Sequence, residues 1–301
     1  VTAINAGSPA GNRRLSPYRF DIGRFLALAR RPNLRLNPFA SVAPPDDAAF
    51  PETGLIRIPG AIPPELCAAA IREHDQFERF RERRHCLIRD PAGRNYRLAN
   101  FHLKSPSLLQ IGLAAAFHRH ATAFFRRPST LYTSLCYKHG SQQDAHIDTP
   151  FFWTRPFNLF CGLWVALEDV APTAGPLFYY PGSHRLFNSE DKLRQLYARA
   201  GNDVQSMFRL MTAEVASTCE RVPLILQRGD AVMWHPGVLH GGARATDPQA
   251  TRYSIVFHLA PLGVNVRQST FPHAFPDLPT YGIVGREGRY YCRTGLPRIM
   301  V

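Results

Sequence analysis

His146 and Asp148 stand two residues apart in His146-Ile147-Asp148. On an extended chain, positions i and i+2 face the same side, so an imidazole and a carboxylate spaced this way can reach one ion. A third donor lies downstream in Gly237-Val238-Leu239-His240-Gly241-Gly242, where small neighbours let backbone segments approach closely. Two histidines and one carboxylate on one face of an octahedron leave three positions open for cosubstrate and dioxygen, the donor set of non-heme iron(II) oxygenases. A His-x-Asp pair alone says little in a chain with 12 histidines. More weight comes from Arg252 and Ser254, which follow His240 and share one face of an apolar run, Arg252-Tyr253-Ser254-Ile255-Val256-Phe257. An antiparallel return would bring Arg252 back towards the metal pocket. A cosubstrate that chelates iron through a keto acid still has a carboxylate tail to anchor, and a buried arginine grips such a tail with a bidentate, charge-assisted pair. Taken alone, Arg252 reads equally as an ordinary strand arginine.

The elements that must hold these residues are short apolar runs separated by Gly and Pro turns. Strands are predicted over Leu131 to Tyr137, Leu159 to Leu167, Pro176 to Tyr180, Leu224 to Leu226, Ala231 to Trp234 and Arg252 to Leu259. This texture fits an antiparallel sandwich or jelly roll, mainly β, wrapped around one site and flanked by helices. A helical pattern spans Pro63 to about Arg84, and a second begins with Ser105 as N-cap and Pro106 as first helical residue and runs through Phe125. Residues 186–218 form a charged helical insertion. The expected organisation is an N-terminal extension over 1–50, partly irregular, one domain over 51–262 with its core at about 131–260, and a C-terminal extension over 263–301.

With 301 residues, 45% of them apolar, the chain can bury a large core, and its formal charge of +13 favours an anionic substrate, acidic partner or anionic membrane surface. Residues 18–36 mix Phe20, Ile22, Phe25 and Leu26 with Arg19, Arg24, Arg30 and Arg31, a pattern that suits either peripheral membrane contact or packing on the domain. The six cysteines show no redox or zinc spacing and read as reduced thiols. No secretory signal or membrane-spanning run is legible, so a cytoplasmic protein is expected. Nothing in the sequence sets the oligomeric state.

The chain resembles the phytanoyl-CoA dioxygenase family through four matches in order: His146-Ile147-Asp148-Thr149-Pro150, Leu163-Trp164-Val165-Ala166-Leu167-Glu168-Asp169, Gly175-Pro176-Leu177 leading to Pro181-Gly182-Ser183-His184, and Gly229-Asp230 through Trp234 to His240 and Arg252-x-Ser254. The resemblance implies a double-stranded β-helix (cupin-like) core, iron(II) on His146, Asp148 and His240, and 2-oxoglutarate held by Arg252 and Ser254. Trp164 falls where the family places a residue beside the cosubstrate, although a core tryptophan would look the same. His184 is expected to shape a turn. The implied reaction consumes O2 and 2-oxoglutarate and hydroxylates an aliphatic C–H bond; desaturation or epimerisation shares its early steps. Asp148 argues against halogenation, because related halogenases lack that carboxylate.

The substrate is expected to be a small anionic metabolite or a lipid or sugar conjugate, on account of the basic balance and of Arg185, Arg194, Arg199 and Arg209 in the insertion. Phe151, Phe152 and Trp153 are candidate pocket walls. Two alternatives compete. One is a nucleic-acid demethylase using the Arg79 to Arg97 stretch, disfavoured because His258 stands where those enzymes carry a second arginine. The other is a non-catalytic jelly-roll binding protein.

Overall fold

The computed structural model describes residues 50–78, 87–89, 95–261, 264–268, 281–286 and 289–293. Within them the apolar runs pair into three antiparallel sheets. The largest has the spatial order β1 (Leu55–Ile58), β9 (Ala231–Trp234), β6 (Cys161–Ala166), β11 (Ser254–Pro261), β4 (Ser129–Tyr137), β3 (Asn95–Ala99), β2 (Leu87–Arg89). A smaller sheet joins β10 (His240–Gly242), β7 (Leu177–Tyr179) and β8 (Val222–Leu224), and a third joins β14 (Arg289–Arg293), β13 (Tyr281–Arg286), β12 (Asn265–Gln268) and β5 (Phe152–Arg155). From β1 through β9, β6 and β11 to β4, neighbours in space are distant in sequence. This is the winding of a double-stranded β-helix, and it places residues from 146, 240 and 252 at one pocket.

Every residue of β4 and β6 is buried, which explains their near-continuous apolar sequence. Alternation still sorts their side chains. Leu163, Ile255 and Phe257 join the main core with Leu108, Ile111, Phe117 and Phe124 of the flanking helices. Trp164, Val256 and His258 turn the other way and line the pocket. Helix Ala115–Phe125 covers the core side by burying Phe117, Ala121, Phe124 and Phe125, a stripe at helical spacing that packs on β4 and β11.

The second expected helix is two. Ser105 caps Pro106–Gly112 as anticipated, its hydroxyl accepting from the Leu108 N–H, and the chain breaks before restarting at Ala115. Gly112 marks the break: a Cβ there would stand 2.9 Å from Leu131 and Phe257, and glycine is a poor helix former. The insertion also resolves into two helices, Glu190–Arg199 and Val204–Ala216, capped by Ser189 and Asp203. Met207, Phe208, Met211 and Val215 pack against Ile147, Phe178, Tyr180 and Leu239, so this insertion covers the face of the smaller sheet turned away from the pocket. Arg252 precedes β11 instead of opening it, with its N–H donating to the Lys138 carbonyl. Residues 18–36, Arg79 to Arg94 apart from β2, and most of 263–301 lie outside the described residues. Among those described, no helix is long and apolar enough to cross a membrane.

Candidate metal centre and anion end

The two histidines sit directly opposite each other. His146 and His240 form an isolated antiparallel bridge, exchanging N–H to carbonyl bonds of 2.8 and 2.9 Å, and their ring centroids are 4.6 Å apart. Gly241 and Gly242 permit the approach, since a Cβ on Gly241 would strike the Phe178 ring and the Gln143 carbonyl, and one on Gly242 the Ser141 hydroxyl and the Gln142 backbone. Asp148 follows in the turn whose carbonyl accepts from the Phe151 and Phe152 N–H groups. One donor atom from each of His146, Asp148 and His240 lies within 4.8 Å of the others, and all three side chains are buried.

Each donor is also held from behind. His146 Nδ1 lies 2.8 Å from the Asp144 carbonyl and His240 Nδ1 2.9 Å from that of Val238. A carbonyl only accepts, so each ring carries a proton on Nδ1 and turns its Nε2 towards the centre. The Trp234 indole N–H donates to Asp148 Oδ2 at 2.8 Å, while Oδ1 lies 3.7 Å from His240 Nε2. Burial, reinforced by the adjacent His240, pushes the His146 pKa down to about 3, so this ring is neutral at physiological pH. Burial opposes the charge on Asp148, but His240, His258 and His146 outweigh it and keep the carboxyl below its usual range. A neutral imidazole and an ionised carboxylate are the protonation states a metal ion requires, and this donor set fits iron(II).

The strand register lays out the rest of the pocket in cross-strand rows. Nearest the triad are Trp234, Gly162 and His258 on β9, β6 and β11; next come Val232, Trp164, Val256 and Leu135; beyond them lie Ala166, Ser254 and Tyr137. Arg252 closes this far end. It is almost fully buried, its Nη1 donates to the Gly175 carbonyl at 2.7 Å, and its guanidinium lies 5.8 Å from the Trp164 ring centre. Ser254 Oγ and Trp164 Nε1 are buried with no hydrogen-bond partner among the described residues. A cation, a hydroxyl and an indole N–H gathered at one end of a pocket whose other end holds three metal donors fit a dicarboxylate lying between them.

Five of the six residues singled out for chemistry line this pocket, and Ser254 is buried on the same face of β11 as the pocket-lining Val256 and His258. Phe151 and Phe152 line the pocket, whereas Trp153, one residue on, turns away. Of the four arginines in and beside the insertion, Arg209 lines a groove beside the site, Arg194 pairs with Glu190 on its own helix at 2.6 Å, and Arg185 and Arg199 are exposed. Sequence reasoning missed four contributors. Arg97, read within a basic surface stretch, lines the pocket and donates to the Tyr137 hydroxyl. Phe208 of the insertion packs 6.0 Å from the His146 ring. Trp234 and His258 flank Asp148; the indole could have been suspected from its position on the strand before His240, while His258 was noticed only for not being arginine.

A jelly-roll pocket with a two-histidine, one-carboxylate centre and a buried arginine opposite defines the class of non-heme iron oxygenases. The chain belongs to the phytanoyl-CoA dioxygenase (PhyH) family, whose model matches residues 50–252. The phytanoyl-CoA dioxygenase domain-containing protein 1 of Danio rerio is 30% identical over 121 residues, 40% of this chain and 40% of that protein. The peroxisomal phytanoyl-CoA dioxygenase of Homo sapiens is 29% identical over 124 residues, 41% of this chain and 35% of that one. These matches span less than half the length of either relative. Among solved structures, the alpha ketoglutarate dependent carbocyclase SnoK from nogalamycin biosynthesis superposes with a TM-score of 0.60 at 18% identity, covering 81% of this chain and 93% of its own. EctD from S. alaskensis gives 0.58 at 16%, covering 81% and 90%. These two establish the fold.

The expected cytoplasmic location is corrected by the relatives: the enzymes from Homo sapiens, Mus musculus and Rattus norvegicus are named as peroxisomal. Composition does not separate the two compartments, because a peroxisomal address is a short signal read by a receptor.

Proposed function

We propose that this chain is an iron(II) and 2-oxoglutarate dependent oxygenase that hydroxylates an aliphatic C–H bond of a small anionic substrate. His146, Asp148 and His240 would hold the iron, and Arg252, Ser254 and Trp164 the cosubstrate. The observation that carries the reading is the buried triad, with a backbone carbonyl or indole behind every donor. Iron and 2-oxoglutarate together supply the oxidant: R–H, O2 and 2-oxoglutarate become R–OH, succinate and CO2. The chain's own part is to fix the reactants and exclude water. Arg252 neutralises the tail carboxylate while Ser254 and Trp164 donate to it. Phe151 and Phe208, near parallel with ring centres 6.2 Å apart, wall the His146 side.

The anionic substrate is supported by the groove beside the site, which has Phe178 and Tyr180 on its floor, Arg209, Arg221 and Arg244 at its edge, and Gln143 in common with the metal pocket. This groove displaces Arg194 and Arg199 from the role first considered for them. A screen for metabolites that raise succinate formation above the uncoupled rate tests the point, since the half-saturating concentration of an active compound should rise in Arg209→Ala/Arg221→Ala. A stimulating compound without charge would sink the anion reading. The oxygenase itself is tested by succinate formation after anaerobic loading with iron(II), ascorbate and 2-oxoglutarate, followed by oxygen. Wild-type turnover that vanishes in His146→Ala supports it; a wild type with neither turnover nor the visible charge-transfer band of the anaerobic complex moves the non-catalytic binding protein to the front.

A further inference from the structure

Asp148 has two oxygens, and the fold treats them differently. Oδ2 accepts the Trp234 indole N–H at 2.8 Å and lies 3.6 Å from His258 Nε2; Oδ1 is turned to His240. Trp234 and His258 are not neighbours by accident of packing. They are paired in register with the same residue, Gly162, from the strands on either side of it. Gly162 lacks a side chain, and a Cβ there would run into the Trp234 indole well inside contact distance. The gap in the middle of the row lets the indole lie across β6. On the other flank, Phe152 stacks on the His258 ring with centroids 3.7 Å apart and planes at 27°. Phe152 follows Asp148 by four residues, and its N–H donates to the Asp148 carbonyl, so the turn carrying the carboxylate is itself tied to this row.

We infer that Trp234, seated over Gly162, is a positioning residue that reserves Asp148 Oδ2 and leaves Oδ1 as the single metal-ligating oxygen. The inference rests on the metal reading above and deepens it. A carboxylate with both oxygens available can close onto the ion in a bidentate manner and occupy a position that cosubstrate or dioxygen needs. Holding one oxygen by an indole N–H prevents that without placing a competing charge beside the centre. Indole nitrogen donates only, so the contact has one possible sense.

The test uses cobalt(II) as probe on the full chain. Its affinity is measured by chelator competition and its coordination by the visible d–d bands, in wild type, His146→Ala, Trp234→Phe, Gly162→Ala and the control Trp153→Phe. Loss of an outer partner of a ligand costs about 10- to 100-fold in metal affinity. That loss is expected in Trp234→Phe and Gly162→Ala, with weaker d–d bands as coordination number rises, and none in Trp153→Phe. Wild-type affinity and spectrum in Trp234→Phe overturn the inference while the iron reading stands. A wild type that binds cobalt no better than His146→Ala overturns both. A second readout needs no Trp234 variant to fold. The chain has three tryptophans, so its indole N–H resonances are assigned with Trp153→Phe and Trp164→Phe. The Trp234 signal should be protected from exchange and should shift in Asp148→Asn; a signal that exchanges freely, or is indifferent to Asp148, rules the contact out.

Discussion

The two ends of the pocket are finished to different degrees. At the metal end every donor atom is complemented by one behind it, from a backbone carbonyl or an indole, and the register of β9, β6 and β11 fixes the row on which Asp148 rests. At the far end Arg252 is anchored through Gly175, yet Ser254 Oγ and Trp164 Nε1 are buried with no hydrogen-bond partner among the described residues. Buried polar groups are normally paired, and exceptions ask for an explanation. The difference teaches which groups belong to the fold and which to a ligand: the three metal donors are each backed by protein, although the His258 ring nitrogens beside them have no hydrogen-bond partner among the described residues, and the far end becomes complete when a carboxylate arrives.

The largest effects should come from breaking the finished end. Asp148→Ala and His146→Ala each remove one of three donors, so cobalt binding and succinate formation should both fall to background. Turnover at the wild-type rate in Asp148→Ala would collapse the distinction, since the metal would then be held elsewhere. Next comes the charge at the far end. Arg252→Ala leaves a dicarboxylate without its cation, a loss of about 2–4 kcal/mol, equivalent to roughly a 30- to 1,000-fold rise in the 2-oxoglutarate requirement. Cobalt affinity without cosubstrate should stay within about twofold of wild type, because carboxylate anchoring is absent from that measurement. Arg252→Lys should fall between, keeping charge but losing the planar fork. An Arg252→Ala protein that loses cobalt as well would mean the two ends are one cooperative unit.

Much of this was legible in the sequence because strands convert spacing into direction. His146 and His240 carry their own flanking signals, and the alternation of Arg252, Ser254, Val256 and His258 puts all four on one side of a strand. Six strands, β4, β6, β7, β8, β9 and β11, were readable for the same reason, with errors of a few residues at the ends, whereas β1 to β3, β10 and β12 to β14 were not among those expected. What stayed hidden depends on register and on contacts between distant segments. No spacing rule relates Gly162 to Trp234, 72 positions later, or tells which face of the insertion helix brings Phe208 to His146. β5 escaped notice because its residues, Phe152 to Arg155, follow the metal pair so closely that they read as pocket wall. Arg97 looked like a member of a charged surface run, and only the pairing of β3 with β4 turns it inward beside Tyr137.

The smallest effect is the most discriminating. Ser254→Ala removes a hydroxyl that is fully buried and has no hydrogen-bond partner among the described residues. A hydroxyl with a structural partner would cost about 1 kcal/mol of stability when deleted, whereas one that pays desolvation without a bond should be neutral or slightly stabilising to remove. The same deletion should weaken 2-oxoglutarate by about 1 kcal/mol, roughly fivefold, if the hydroxyl donates to the tail carboxylate. Ser254→Ala is therefore expected to show an unchanged or higher midpoint of urea unfolding without ligand, together with a several-fold higher KM for 2-oxoglutarate. The two readouts must move in opposite senses. A lower midpoint with an unchanged KM would make Ser254 part of the finished scaffold and move the boundary between the two ends further along β11, leaving Arg252 and Trp164 to hold the cosubstrate.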